Sequence, residues 1–89
     1  MVFLRLNSQG NEVKQLQMKL IRLGVIVTVN GFFDKKTEKA VKKFQKQQNI
    51  KVDGIVGYYT SHKIDYLLNL RENEKNNDEF DWKIINKWI

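Results

Sequence analysis

One phrase occurs twice in this chain. Gly31-Phe32-Phe33-Asp34-Lys35-Lys36-Thr37 is echoed by Gly54-Ile55-Val56-Gly57-Tyr58-Tyr59-Thr60, starting 23 residues later (31 to 54). Each copy reads Gly, two apolar residues, Asp or Gly, two variable residues and Thr, and then passes into an amphipathic run. Such a phrase builds one local unit twice: a turn that needs glycine, followed by a helix start.

The amphipathic runs set the helices. Apolar residues recur at Val13, Leu16, Leu20 and Leu23, a helical period. The Ser8-Gln9-Gly10-Asn11 cluster offers Ser8 or Asn11 as a cap, and Gly24 stands where a left-handed C-terminal cap belongs. The spacing predicts helix 1 over about 9–23. Val25–Val29 is β-branched and too short for a helix, so it reads as an extended piece or short strand. Asp34 is a suitable N-cap, and Thr37, Ala40, Val41 and Phe44 share a face, predicting helix 2 over about 35–48, ending near Asn49. Ile50-Lys51-Val52 is again a short extended piece before the turn dipeptide Asp53-Gly54. Thr60, Ile64 and Leu67 repeat the spacing of Thr37, Val41 and Phe44, predicting helix 3 over about 58–70. A further echo, Val13-Lys14-Gln15-Leu16-Gln17 against Val41-Lys42-Lys43-Phe44-Gln45, relates helices 1 and 2.

Helices of three to four turns are not stable alone. Each must bury its stripe on the others, so the expected architecture is an all-α, compact three-helix bundle with an internal twofold repeat, over 1–70. Hydrophobic residues make up 42% of the 89, enough for one modest core. Residues 71–79 contain nothing apolar and read as a polar linker. Residues 80–89, Phe-Asp-Trp-Lys-Ile-Ile-Asn-Lys-Trp-Ile, read as an aromatic amphipathic tail forming a short helix.

In this order and spacing the phrases resemble the peptidoglycan-binding domain family, the small three-helix modules of bacterial and phage cell-wall hydrolases. The resemblance is carried by Gly10-Asn11-Glu12-Val13, Leu16-Gln17, Leu20, Leu23-Gly24, Gly31-Phe32-Phe33-Asp34 with Thr37, Ala40-Val41, Phe44-Gln45, Asp53-Gly54, Gly57 and Thr60, across about residues 8–70. Asn30 stands where that family more often has Asp, Val25 where it often has an aromatic, and 71–89 fall outside its pattern. The resemblance implies a non-catalytic module that holds a wall-lytic enzyme or phage component on peptidoglycan.

The residues themselves argue against catalysis. Cysteine is absent, so there is neither a thiolate nucleophile nor a disulfide. His62 is the one histidine, without the further ligands that a catalytic zinc requires, so no metal and no cofactor are expected. Ser8 and Ser61 have no histidine–carboxylate pattern around them, and Asp34, Asp53 and Asp65 form no evident acid/base pair.

Binding is the remaining class. The turns expose Asn30, Asp34, Tyr58 and Tyr59 as candidate ligand contacts, one tyrosine expected to pack and the other to face out. Phe32 and Phe33 read as core, and the Gln17 and Gln45 amides are expected to hydrogen-bond loop backbone. Sixteen basic against ten acidic residues leave a net charge of +6, which favours anionic partners. Lys35, Lys39, Lys42 and Lys46 share one helical face, eased by a Glu38–Lys42 pair, and are candidate contacts for an anionic polymer such as teichoic acid or the anionic stem peptides. Nucleic acid would want aromatics or amides interleaved with the lysines.

A second reading makes the fold a protein–protein interaction module, with Phe80, Trp82, Ile85 and Trp88 of the tail contacting a partner or a second copy in a homo-oligomer. No run approaches the ~20 apolar residues of a membrane span. The N-terminal apolar run is too short for a signal peptide. The chain is therefore expected to be made in the cytoplasm and to act at the cell wall after release, or within a larger protein or phage particle.

Overall fold

The three apolar stripes become three helices. In the computed structural model, which describes residues 3–71, α1 is Asn11–Arg22, α2 is Lys35–Gln47, and α3 is helical from 58 to 71, the last described residue. The sequence-based bounds match the starts of α2 and α3 and differ by one or two residues at the other ends. Val25–Val29 forms neither helix nor strand. Among the described residues no strand is present. The candidate contacts Phe80, Trp82, Ile85 and Trp88, and the tail they belong to, lie outside the described residues.

The core is drawn from all three helices and both turns. Val13, Leu16 and Leu20 of α1 meet Val41 and Phe44 of α2, Ile64 of α3, and Phe33 and Val56, one from each repeated phrase. Leu4, Leu23, Val25, Val27, Ile50, Leu67 and Leu68 pack around them. Burying a side chain the size of Phe33 or Phe44 contributes roughly 1.5–3 kcal/mol, so the shared core stabilises helices that would not form singly. The expected face of Thr37, Ala40, Val41 and Phe44 is buried throughout.

The helix ends follow from local chemistry. Gly24 has φ 84°, its N–H donates to the Ile21 carbonyl, and the Val25 N–H donates to the Leu20 carbonyl. This Schellman pattern satisfies carbonyls that the helix leaves free. Asn49 does the same for α2 at φ 57°, with Asn49 N–H to Lys46 and Ile50 N–H to Gln45. Asp34 caps α2 as expected, its Oδ1 accepting from the Thr37 N–H at 2.9 Å.

The start of α1 departs from expectation. Gly10 is the N-cap, and neither Ser8 nor Asn11 caps through its side chain. Ser8 Oγ instead accepts from the Arg5 N–H, tightening the turn before the helix. The residue after α3's expected end also differs. Arg71 is helical rather than linker, and its guanidinium donates to the Arg22 carbonyl at the end of α1.

The N-terminal arm ties the two phrases together. Leu4 and Val56 form an antiparallel bridge, as do Gln9 and Phe32. Asn7 N–H and Ser8 C=O both pair with the backbone of Phe33 at 2.9 Å. One stretch of eight residues (3–10) thus supplies backbone partners to both turns.

Candidate functional site

Each turn is organised by a glutamine with no exposed surface. Gln17 and Gln45 are both 0% exposed. Gln17 Oε1 accepts from the Asn30 and Gly31 N–H groups, both at 2.9 Å. Its Nε2 lies 3.0–3.1 Å from Asn30 Oδ1, the Phe32 carbonyl and Thr37 Oγ1. Gln45 repeats this arrangement atom for atom: Oε1 accepts from Asp53 and Gly54, and Nε2 faces Asp53 Oδ1, the Ile55 carbonyl and Thr60 Oγ1. An amide carries two donors, so three acceptors around each Nε2 share two hydrogens. A primary amide supplies both the acceptor and the donors that such a turn needs, which is why the same residue type recurs. The repeated unit is therefore helix, glutamine, turn, threonine and helix, with α2 serving as the second helix of one unit and the first of the next.

The turn residues are committed in the same way. Asn30 Oδ1 accepts from the Phe32 N–H at 3.0 Å and Asp53 Oδ1 from the Ile55 N–H at 2.9 Å. Hydrogen bonds from backbone N–H groups, Thr37 to Asp34 and Ile55 to Asp53, hold both carboxyls below the usual carboxylate range. Gly54 has φ 72°, and a Cβ there would stand 3.0 Å from Glu38 Cγ and Lys42 Cε, so both conformation and space demand glycine. Gly57 differs: its backbone is ordinary, and the Phe3 ring fills its face, 3.3 Å from where a Cβ would be.

The ring of Phe3 opens onto a groove. It is lined by Phe3, Ile50, Lys51, Ile55, Tyr58 and Tyr59, with Asp53 and Thr60 at the second turn, and encloses about 500 Å³. Tyr58 and Tyr59 are 54% and 78% exposed, so both face out, where one was expected to pack. Their rings meet edge to face at 5.5 Å, and Tyr58 lies 4.3 Å from the His62 ring. Tyr59 is the more open of the two rings. Tyr66 is also exposed, with Lys63 Nζ 5.7 Å from its ring.

The four candidate contacts fall into two groups. Tyr58 and Tyr59 line the groove at the second turn, while Asn30 and Asp34 belong to the first turn and line no part of it. Phe3 and Lys51 join the site without any sequence signal. Tyr66 lies outside the groove, although Tyr59, His62 and Tyr66 are spaced i, i+3, i+7, the interval of a single helical face. Phe32, read as core, is 38% exposed, whereas Phe33 is fully buried. Lys35, Lys39, Lys42 and Lys46 are all exposed on α2. Among the described residues no cluster of His, Cys, Asp or Glu forms a metal site, and no helix is long and apolar enough to cross a membrane.

Comparison with known proteins agrees with this geometry. The family model for the peptidoglycan binding domain matches residues 9–64, a span that holds both glutamine-centred turns. An uncharacterized protein of Kitasatospora aureofaciens is 42% identical over 62 residues, covering 67% of this chain and 52% of that protein. The chain thus spans about half the length of this curated relative. Among solved structures, the SleB N-terminal domain superposes with TM-score 0.71 at 27% identity, covering 74% of this chain and 92% of that one. A Burkholderia AP3 phage endolysin gives 0.69 at 32% identity, covering 71% and 24%. A peptidoglycan-binding protein from Clostridioides difficile, solved with glutamine hydroxamate, gives 0.69 at 38% identity, covering 71% and 40%.

Proposed function

Because the chain belongs to the peptidoglycan-binding domain family, we propose that it is a non-catalytic module that binds bacterial cell-wall peptidoglycan. Its partner is a wall-lytic enzyme or phage component, in the same polypeptide or a separate one, which it holds on the polymer. Tethering of this kind converts a bimolecular encounter into an intramolecular one and raises the local concentration of substrate. The likeness to parts of an endolysin and of a longer peptidoglycan-binding protein supports this reading.

The contact surface is the groove at the second turn. Sugar rings and short peptides both present apolar faces edged with hydroxyls or amides, and exposed tyrosines match such faces with a ring and a hydrogen-bonding tip. Tyr58 and Tyr59 supply the rings, and Asp53 and Lys51 line the same groove with a carboxylate and an ammonium. Asn30 and Asp34 extend the contact toward the first turn. The observation that carries the reading is the family match over residues 9–64; the exposed tyrosines support a contact at the groove.

Retention on purified sacculi tests it. The protein should co-sediment at moderate salt, and Tyr59→Ala should weaken retention about tenfold, within the 1–3 kcal/mol typical of an aromatic stacking contact. Retention no better than a size-matched control would overturn the proposal. The interaction-module reading rested on the tail, and no observation among the described residues favours it.

A further inference from the structure

We propose that the outer face of α2 is a second binding surface, which takes a linear phosphodiester polymer of the polyol-phosphate, teichoic type. Six of the 13 residues of this helix are lysines: Lys35, Lys36, Lys39, Lys42, Lys43 and Lys46. All six are exposed. At 3.6 residues per turn they occupy an arc of about 120°, opposite the buried Thr37, Ala40, Val41, Phe44 and Gln45.

The stability of the helix does not account for this arrangement. Lys35 and Lys36 fill its first two positions, where the helix dipole disfavours cations. Lys35–Lys39, Lys39–Lys43 and Lys42–Lys46 are like-charge pairs at i, i+4, and Lys36–Lys39, Lys39–Lys42 and Lys43–Lys46 at i, i+3. Glu38 is the one acid in the helix, and it stands 4.0 Å from Lys42. A face kept only for solubility mixes both signs. This face concentrates one sign at a cost to its own helix, which is the pattern of a surface selected for an anion.

The geometry narrows the anion to a chain of phosphates. Lys35, Lys39, Lys42 and Lys46 form a row along the helix axis, rising about 16 Å over 11 residues. A row of point charges on flexible stems fits successive phosphates without fixing their orientation, whereas bidentate recognition of a single carboxylate or phosphate would use arginine. No arginine lies on this face. Aromatic side chains are absent from it as well, so it has no platform on which bases could stack. The row also runs up to the other site. The Lys42 stem lies against Gly54, in the turn whose Asp53 and Ile55 line the tyrosine groove. A polymer laid along α2 would therefore pass beside the second turn. The source of the polymer, a phosphate chain attached to the wall, rests on the wall-binding reading; the charge argument does not.

The test uses the full chain and a purified glycerol-phosphate oligomer, with affinity measured across a salt series. Four phosphate contacts predict a slope of log K against log[salt] of about −3. Lys35→Gln/Lys39→Gln/Lys42→Gln/Lys46→Gln should lose at least tenfold in affinity and flatten the slope, with its helix content checked by circular dichroism. A charge-matched control on other surfaces, Arg5→Gln/Lys14→Gln/Arg22→Gln/Lys63→Gln, should stay within about threefold of the parent. Equal losses in the two variants would overturn the proposal, because net charge alone would then explain binding. Tighter binding to a single-stranded DNA of equal charge would overturn it in favour of nucleic acid. Sacculi stripped of phosphate polymers separate the two sites: the α2 variant should be retained there like the parent, and failure of both proteins to bind would count against the peptidoglycan reading alone.

Discussion

Gln17 and Gln45 each make five hydrogen bonds from a position without solvent, and neither could be replaced without stranding several groups at once. A buried donor or acceptor left unpaired costs about 1–3 kcal/mol. Gln45→Ala strands the Asp53 and Gly54 N–H groups and opens a cavity, so it should destabilise the domain by roughly 3–5 kcal/mol in chemical denaturation. Gln17→Ala should cost a similar amount. Gln45→Glu should be no better, because a carboxylate cannot donate to Asp53 Oδ1, Ile55 O and Thr60 Oγ1 and would be charged in a buried site. A loss below 1 kcal/mol in either alanine variant would mean that the turns hold without their glutamines. Both glutamines were legible as partners of loop backbone; that each also gathers the first-turn threonine of the following helix was not, because it depends on where the next helix returns.

At the scale of the element, helix boundaries were the most readable part of this chain. The Schellman ends at Gly24 and Asn49 and the Asp34 cap are set by residues within one turn of the feature they make. The α1 start was misread because Gly10 replaced a side-chain cap, and the arm from Leu4 to Gln9 supplied partners that no local pattern announces. α2 carries a defect that can be corrected. Lys36 sits at the second helical position, near the positive end of the dipole and one turn from Lys39. Lys36→Glu should raise stability by about 0.5–1 kcal/mol, or roughly 2–8 °C in Tm for a domain of this size. An unchanged or lower Tm would show that the dipole and repulsion arguments do not govern this helix end.

For the molecule as a whole, acid sensitivity follows from the two turn carboxyls. Asp34 and Asp53 are lowered from the ordinary 3.8 by the backbone N–H groups of Thr37 and Ile55. A depressed acid binds fewer protons in the folded state, so its contribution is present above the unfolded pKa and lost as pH falls through the folded one. Denaturation midpoints should stay level from pH 7 to about 5 and fall below about 4. Asp53→Asn should keep the turn, since Asn30 makes the same Oδ1 contacts in the first unit, and together with Asp34→Asn it should flatten the acid limb. An acid limb unchanged in the double variant would place the sensitivity elsewhere.

The sequence by itself determined the three helices, all their ends but the start of α1, and the fact that one unit is made twice, because periodicity, capping and glycine turns act within a few residues. It also pointed to the lysines of α2 and the exposure of the second turn. Tertiary structure alone decided what each unit shares. It put Phe3 over Gly57 to open the tyrosine groove, turned both Tyr58 and Tyr59 outward, and separated them from Asn30 and Asp34. These outcomes depend on contacts between residues dozens of positions apart, and the free energy that selects them comes from one common core rather than from any local run.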